Sequence, residues 1–141
     1  IELGLVGSEM CIRDSFMLQK EFALRCSGNE NTSSYGRLSV ICKYLYEVEV
    51  LKEVSKVFFN PEPKVDSLFV RFYPKYAKID EKEFQNLKTV TRALFNKKRK
   101  KISNSLKDIM RDDDIKKIDL DLNLRPDELS LDDFLRISNL V

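Results

Sequence analysis

The segment Phe59-Asn60-Pro61-Glu62-Pro63-Lys64-Val65-Asp66-Ser67 sets an aromatic ring, two alternate prolines and a cation ahead of an apolar run. Each proline fixes its own φ at roughly −65° and steers the preceding residue toward extended conformations. The spacing predicts a stiff ledge over Phe59 to Lys64 that displays an aromatic side chain. A ring held in this way can support the face of an unpaired or flipped nucleobase. The other reading of Phe59 is a core position beside Phe58. Lys64 to Ser67 read either as strand initiation with a local carboxylate cap or as part of a substrate pocket.

A second chemistry is anion binding. Lys97, Lys98, Arg99, Lys100 and Lys101 are consecutive, followed by Asn104. On a helix from Lys98 to Met110 such a run sweeps about 400° of surface. Its members could not share one solvated face. With Phe95, Ile102, Leu106 and Ile109 as the inner stripe, Lys98 and Arg99 fall within or beside it. Cations there need a crevice, a partner or an external anion. Phosphate suits Arg99, which offers two donors in a fork, with the lysines as point charges. A solvated helix start is the alternative.

Elements that could position these groups follow from periodicity. Phe16 to Cys26 reads as a strand end followed by a short helix, with Gln19, Lys20, Glu21 and Arg25 at the junction. Gln19 and Glu21 act there as structural residues or as part of a site. Cys26 to Ser34 is a polar loop, and Arg37 to Tyr46 an amphipathic helix entered through Tyr35 and Gly36, with Arg37 a candidate brace for a substrate loop. Glu47 to Val54 alternates at Val48 and Val50 and less cleanly at Leu51 and Val54, a strand with a period shift near its end. Ser67 to Tyr73, almost wholly apolar, reads as a strand buried on both faces, antiparallel to the previous one. Pro74 to Ile79 is a linker. Asp80 to Glu83 can form a capping box for a helix whose stripe is Phe84, Leu87, Val90, Thr91, Leu94 and Phe95. Asp112 to Asp114 mark a break or a new helix start, and Ser130 begins a last helix.

Composition removes several classes. The chain of 141 residues has no histidine and three cysteines without a Cys-x-x-Cys pair. No metal site and no histidine-dependent triad is therefore expected. No apolar run approaches the ~20 residues of a membrane span. The expectation is a cytoplasmic protein with no membrane partner. A net charge of +2 is too small to announce a polyanion binder by itself; the clustering of the cations says more.

In order and separation, the Phe16–Arg25 segment, Tyr35-Gly36-Arg37-Leu38-Ser39-Val40, the Phe-x-Pro-x-Pro ledge, Phe95 to Leu106 and Leu129 to Phe134 resemble the later motifs of the KsgA-type ribosomal RNA adenine dimethyltransferases. The resemblance implies the C-terminal part of a Rossmann-like α/β methyltransferase domain over residues 16–75, followed by a small all-α RNA-docking domain over 76–141. It places target-adenine stacking on Phe59 and an active-site wall on the ledge, and gives Asn104 a part in holding the helical domain. It further implies S-adenosylmethionine as methyl donor and small-subunit ribosomal RNA, or the pre-ribosomal subunit, as partner. The reaction would dimethylate adjacent adenines near the 3′ end of that RNA.

Two departures accompany the resemblance. The donor-binding strand, Gly-rich turn, acidic residue and Asn-Leu-Pro-Tyr loop of such enzymes do not occur, so the chain is expected to be an inactive C-terminal piece. Cys26-Ser27-Gly28 stands where an apolar loop with Ala and Pro-Gly is expected. Residues 1–15, in which Gly7 to Ser15 resembles translated sequencing-adapter read-through, are set aside as a non-native tail; an ordinary N-terminal tail is the alternative. Related readings are the resistance methyltransferases acting on large-subunit RNA and, in a different class, a non-enzymatic RNA-binding or ribosome-assembly module.

Overall fold

The computed structural model describes residues 14–75 and 78–141. The fold is α/β, a small sheet with helices. Strand β1, Asp14–Gln19, leads directly into helix α1, Lys20–Ser27; helix α2, Arg37–Leu45, leads equally directly into strand β2, Tyr46–Val54, and β3 is Ser67–Pro74. The sheet order is β1-β3-β2 with both pairings antiparallel. The register slips between Val50 and Lys52, so Leu51 is the extra residue of a bulge, where the sequence periodicity shifts.

The strand at 67–73 is not buried on both faces. Leu68, Val70 and Phe72 are buried against Ala23 and Cys26 of α1 and Cys42 of α2. Both covering helices lie on that one side. On the other, Phe69 is 39% exposed, and Arg71 and Tyr73 are half-buried. Arg71 donates to the Tyr73 hydroxyl at 3.0 Å and to Ser15 Oγ at 3.3 Å, while Tyr73 donates to Glu49 at 3.0 Å. The open face thus joins a polar lattice of Arg71, Tyr73 and Glu49 to the exposed cross-strand pair Met17–Phe69, which the apolar composition of the strand does not reveal.

Helix α3, Glu81–Asn96, has the expected stripe, with Leu87, Val90, Thr91 and Leu94 buried. Asp80 caps it by accepting from the Glu83 N–H at 3.1 Å. The reciprocal half of a capping box is missing because the Glu83 carboxylate accepts from the Tyr44 hydroxyl at 2.7 Å. The expected second helix over 98–110 is broken instead. Residues 97–101 form a turn, α4 covers only Ile102–Leu106, and α5 covers Asp112–Ile115. Five adjacent cations repel one another, which disfavours a helix over 97–101. The chain is held instead by Ile102 and Ser103 N–H groups donating to the Leu124 and Leu122 carbonyls. Helix α6, Leu131–Ser138, starts from a reciprocal Ser130–Asp133 box.

Two apolar cores result, joined through α2. Cys42 belongs to the sheet core, whereas Val40, Tyr44 and the preceding Tyr35 pack with Leu87, Leu94, Ile102, Leu129 and Phe134 in the helical core. The helical core thus draws on residues before the expected boundary at 75/76. Tyr35 donates to the Leu129 carbonyl at 2.8 Å across 94 positions of sequence. At the other end, Asp14 and Ser15 pair with Phe72 and Arg71, so the expected limit at residue 15 cuts through β1. The rest of the expected tail lies outside the described residues, as do 76 and 77 of the expected linker.

Candidate nucleic-acid interface

The ledge grows from the hairpin between β2 and β3. A one-turn 3-10 helix, Lys56–Phe58, follows β2, after which Phe59 is extended and residues 60–66 run without regular structure. The prolines prevent that turn from continuing as a helix. Asp66 closes the loop at its base: its carboxylate accepts the Lys56 N–H at 2.9 Å and its carbonyl accepts the Lys20 N–H at 2.9 Å. Lys56 and Glu62 add an ion pair at 3.5 Å across the loop. The local-cap reading of Asp66 is therefore what the geometry displays. Phe59 is half-buried at the inner margin of the ledge, while Pro61, Glu62, Pro63, Lys64 and Val65 are exposed. Phe58, named in the sequence only as a possible core neighbour, is 79% exposed.

The basic turn sorts its cations by partner. Lys97 pairs with Asp108 at 2.6 Å, Lys101 donates to Asn123 Oδ1 at 2.9 Å, and half-buried Lys98 donates to the Tyr35 carbonyl at 2.8 Å. Arg99 and Lys100 are exposed and have no side-chain partner among the described residues. Of the three ways to place a cation beside the apolar stripe, Lys98 takes a partner, the carbonyl of the residue that also anchors Leu129. A phosphate would meet Arg99 and Lys100 first. The turn geometry releases Arg99 from the helical stripe within or beside which periodicity set it, whereas Lys98, set there with it, stays half-buried.

The remaining candidates are dispersed. Gln19 is exposed as the last residue of β1, opposite Ser67. Glu21 pairs with Arg25 at 2.7 Å in an exposed one-turn ion pair, of the kind worth a few tenths of a kcal/mol. Arg37 is exposed at the first turn of α2, and Asn104 is exposed on α4 with no side-chain hydrogen bond among the described residues. The contact between the two halves that is expected at Asn104 is instead made by Lys98, Tyr35, Tyr44 and Glu83. These lie 39 to 94 positions from their partners, beyond the reach of local periodicity.

The loop before α2 is fixed by small side chains. Ser39 Oγ accepts the Gly36 N–H at 3.1 Å and donates to the Arg25 carbonyl at 2.6 Å. A Cβ on Gly28 would lie 2.7 Å from that oxygen, so glycine permits the close approach of the two helices. Burial raises the Glu30 carboxyl, but its own N–H and Lys43 outweigh this and hold it below the ordinary range. Burial, with Glu30 and Asp133 nearby, pushes the Tyr35 phenol well above its usual range, so it remains a donor. Cys26 and burial keep the Cys42 thiol high and protonated.

The arrangement has known counterparts on two levels. In fold, the chain is similar to a solved dimethyladenosine transferase from Plasmodium falciparum, with a TM-score of 0.71 and 26% identity over 87% of this chain and 54% of that one. The fold also matches the solved 23S rRNA methyltransferase ErmE, with a TM-score of 0.63 and 20% identity over 91% and 54%. These neighbours are methyltransferases.

The profile described as "Ribosomal RNA adenine dimethylase" matches residues 8–141, and the chain belongs to that family. Curated relatives include ribosomal RNA small subunit methyltransferase A of Shewanella oneidensis, 38% identical over 89% of this chain and 47% of that protein. The same-named protein of Colwellia psychrerythraea is 38% identical over 89% and 42%. The chain spans about half the length of these relatives.

Proposed function

We propose that this chain supplies the aromatic wall and the RNA-docking part of a ribosomal RNA adenine dimethyltransferase, as the C-terminal part of its Rossmann-like domain and a small helical domain. The observation that carries the reading is Phe59 on a loop clamped at its base by Asp66, with Arg99 and Lys100 free for phosphate on a separate turn. The substrate proposed is small-subunit ribosomal RNA, at adjacent adenines near its 3′ end, in the cytoplasm.

Methylating an adenine amine requires the base to leave its pairing, and an aromatic face can hold it while so exposed. Phe59 is the group assigned to that role, and the proline-braced wall of Pro61, Pro63 and Lys64 limits its movement. Arg99 and Lys100 contribute affinity that carries no sequence information. Among these residues none needs to act as a strong base, because positioning supplies much of the catalysis.

S-adenosylmethionine, the methyl donor implied by the family, does not fit the residues described. Gly28 is packed against Ser39 and Ser34, and Gly36 serves as the cap of α2, so neither belongs to a glycine-rich cradle. The donor site is assigned to the part of the relatives that this chain does not span, and the transfer step is assigned there with it. By itself the piece is proposed to dock RNA without catalysis, which is the sense in which the non-enzymatic reading applies to it.

The test is Phe59→Ala in a full-length enzyme carrying this sequence. Turnover should fall at least ~10-fold, the scale of a misplaced reacting group, with RNA affinity within about twofold and the melting temperature little changed. Normal turnover per folded molecule, together with a large stability loss, would assign Phe59 to the core instead.

A further inference from the structure

Phe58 is the most exposed of the large apolar side chains among the described residues, at 79%, with Val57 at 64% and Val65 at 45%. The Lys56 N–H bond to the Asp66 carboxylate brings residues 56 and 66 together, so Val57 and Val65, each one residue away, flank the same base of the loop. A phenylalanine left in water forfeits the gain of burial, and this one belongs to neither apolar core. Among the described residues its ring packs into no core, and a turn closed by backbone bonds at 3.2 Å from the Phe58 and Phe59 N–H groups would accept a polar side chain.

We propose that Val57, Phe58 and Val65 form a second base-stacking platform, holding an unpaired RNA nucleotide next to the one stacked on Phe59. The proposal rests on the reading above. Phe58 is exposed where Phe59 is half-buried, so the two consecutive rings sit in different environments. Two neighbouring bases, one on each ring, use both. The occupant is a nucleotide because the platform adjoins Lys64, exposed and without an ion pair among the described residues, which offers its charge to a phosphate beside the stacked base. An apolar protein partner would make no use of that cation.

The experiment uses the 141-residue chain and a single-stranded RNA with two adjacent adenines, each replaced in turn by 2-aminopurine, whose emission is quenched on stacking. Phe58→Ala should weaken binding roughly tenfold or more and relieve quenching at one of the two positions, with an unchanged unfolding midpoint. Phe58→Tyr should keep both properties and Phe58→Leu should lose them. Wild-type affinity and quenching in Phe58→Ala, with the parent chain binding RNA, overturns this inference alone. Equal binding by the Leu and Tyr variants removes stacking as the cause. Self-association of the chain that disappears in Phe58→Ala gives the patch to a second copy and sinks the proposal. If the parent chain does not bind the RNA, the docking function falls, and this inference with it.

Discussion

The proline ledge and the basic turn both present groups to solvent, but they are held in opposite ways. In the ledge the backbone is fixed, by Asp66 and by the 3-10 turn, and the side chains from Pro61 to Val65 remain exposed. In the basic turn the side chains do the fixing: Lys97, Lys98 and Lys101 are tied to Asp108, Tyr35 and Asn123, and only Arg99 and Lys100 of the five remain available among the described residues. The first design suits a ring whose orientation must be constant. The second suits charges whose number matters more than their direction. Counting residue types in a motif therefore overstates its free chemistry whenever its members also hold the motif together.

The comparison breaks most visibly at Asp66. Asp66→Ala leaves the Lys56 N–H without its carboxylate and should lower stability by about 2 kcal/mol, read as a shifted urea midpoint. A value below ~0.5 kcal/mol would mean that the ledge is held without the carboxylate, by its prolines, the Asp66 carbonyl and the Lys56–Glu62 pair. Lys98→Ala should cost about 1 kcal/mol through the lost bond to the Tyr35 carbonyl. Lys98→Met, which keeps the apolar stem, should recover only part of it.

The double change Arg99→Ala with Lys100→Ala should leave the urea midpoint unaltered. It should reduce the slope of log affinity for RNA against log salt by about 1.4, two phosphates at ~0.7 each for a single strand. A slope change of the same size in Lys98→Ala would erase the distinction between holding and presenting cations.

The smallest effect is electrostatic. Glu30 has a folded pKa below its unfolded value. The stability it contributes is present above the unfolded value of about 4.5 and is lost as pH falls through the lower folded value. Glu30→Gln should flatten the pH dependence of the unfolding free energy in that acidic window and leave the slope above about pH 6 unchanged.

Much of the architecture is legible in residue patterns. The strands, the Leu51 irregularity, α2 and α3 follow from alternation or three-and-four spacing, because each buries one face. The helix expected over 98–110 does not form, because Ile102, Leu106 and Ile109 keep helical spacing although backbone bonds to Leu122 and Leu124 draw the chain aside. The strand at 67–73 is covered on one face only, because an apolar run does not reveal that α1 and α2 lie on the same side. Within the candidate site, the ledge is legible from its prolines. The exposure of Phe58 is not, since two adjacent phenylalanines give no local signal of which one the fold takes in.

One helix bears on how this chain can be divided. Because α2 faces both cores and passes without a loop into β2, the stretch after residue 75 is not a transplantable module. Excised there, it would lose Tyr35, Val40 and Tyr44 and leave a trough lined by Leu87, Leu94 and Phe134. A chimera that borrows the basic turn must therefore also borrow a helix that ends about fifty residues upstream of it, so any exchange between relatives in this region has to be drawn around neighbours in space rather than along a stretch of sequence.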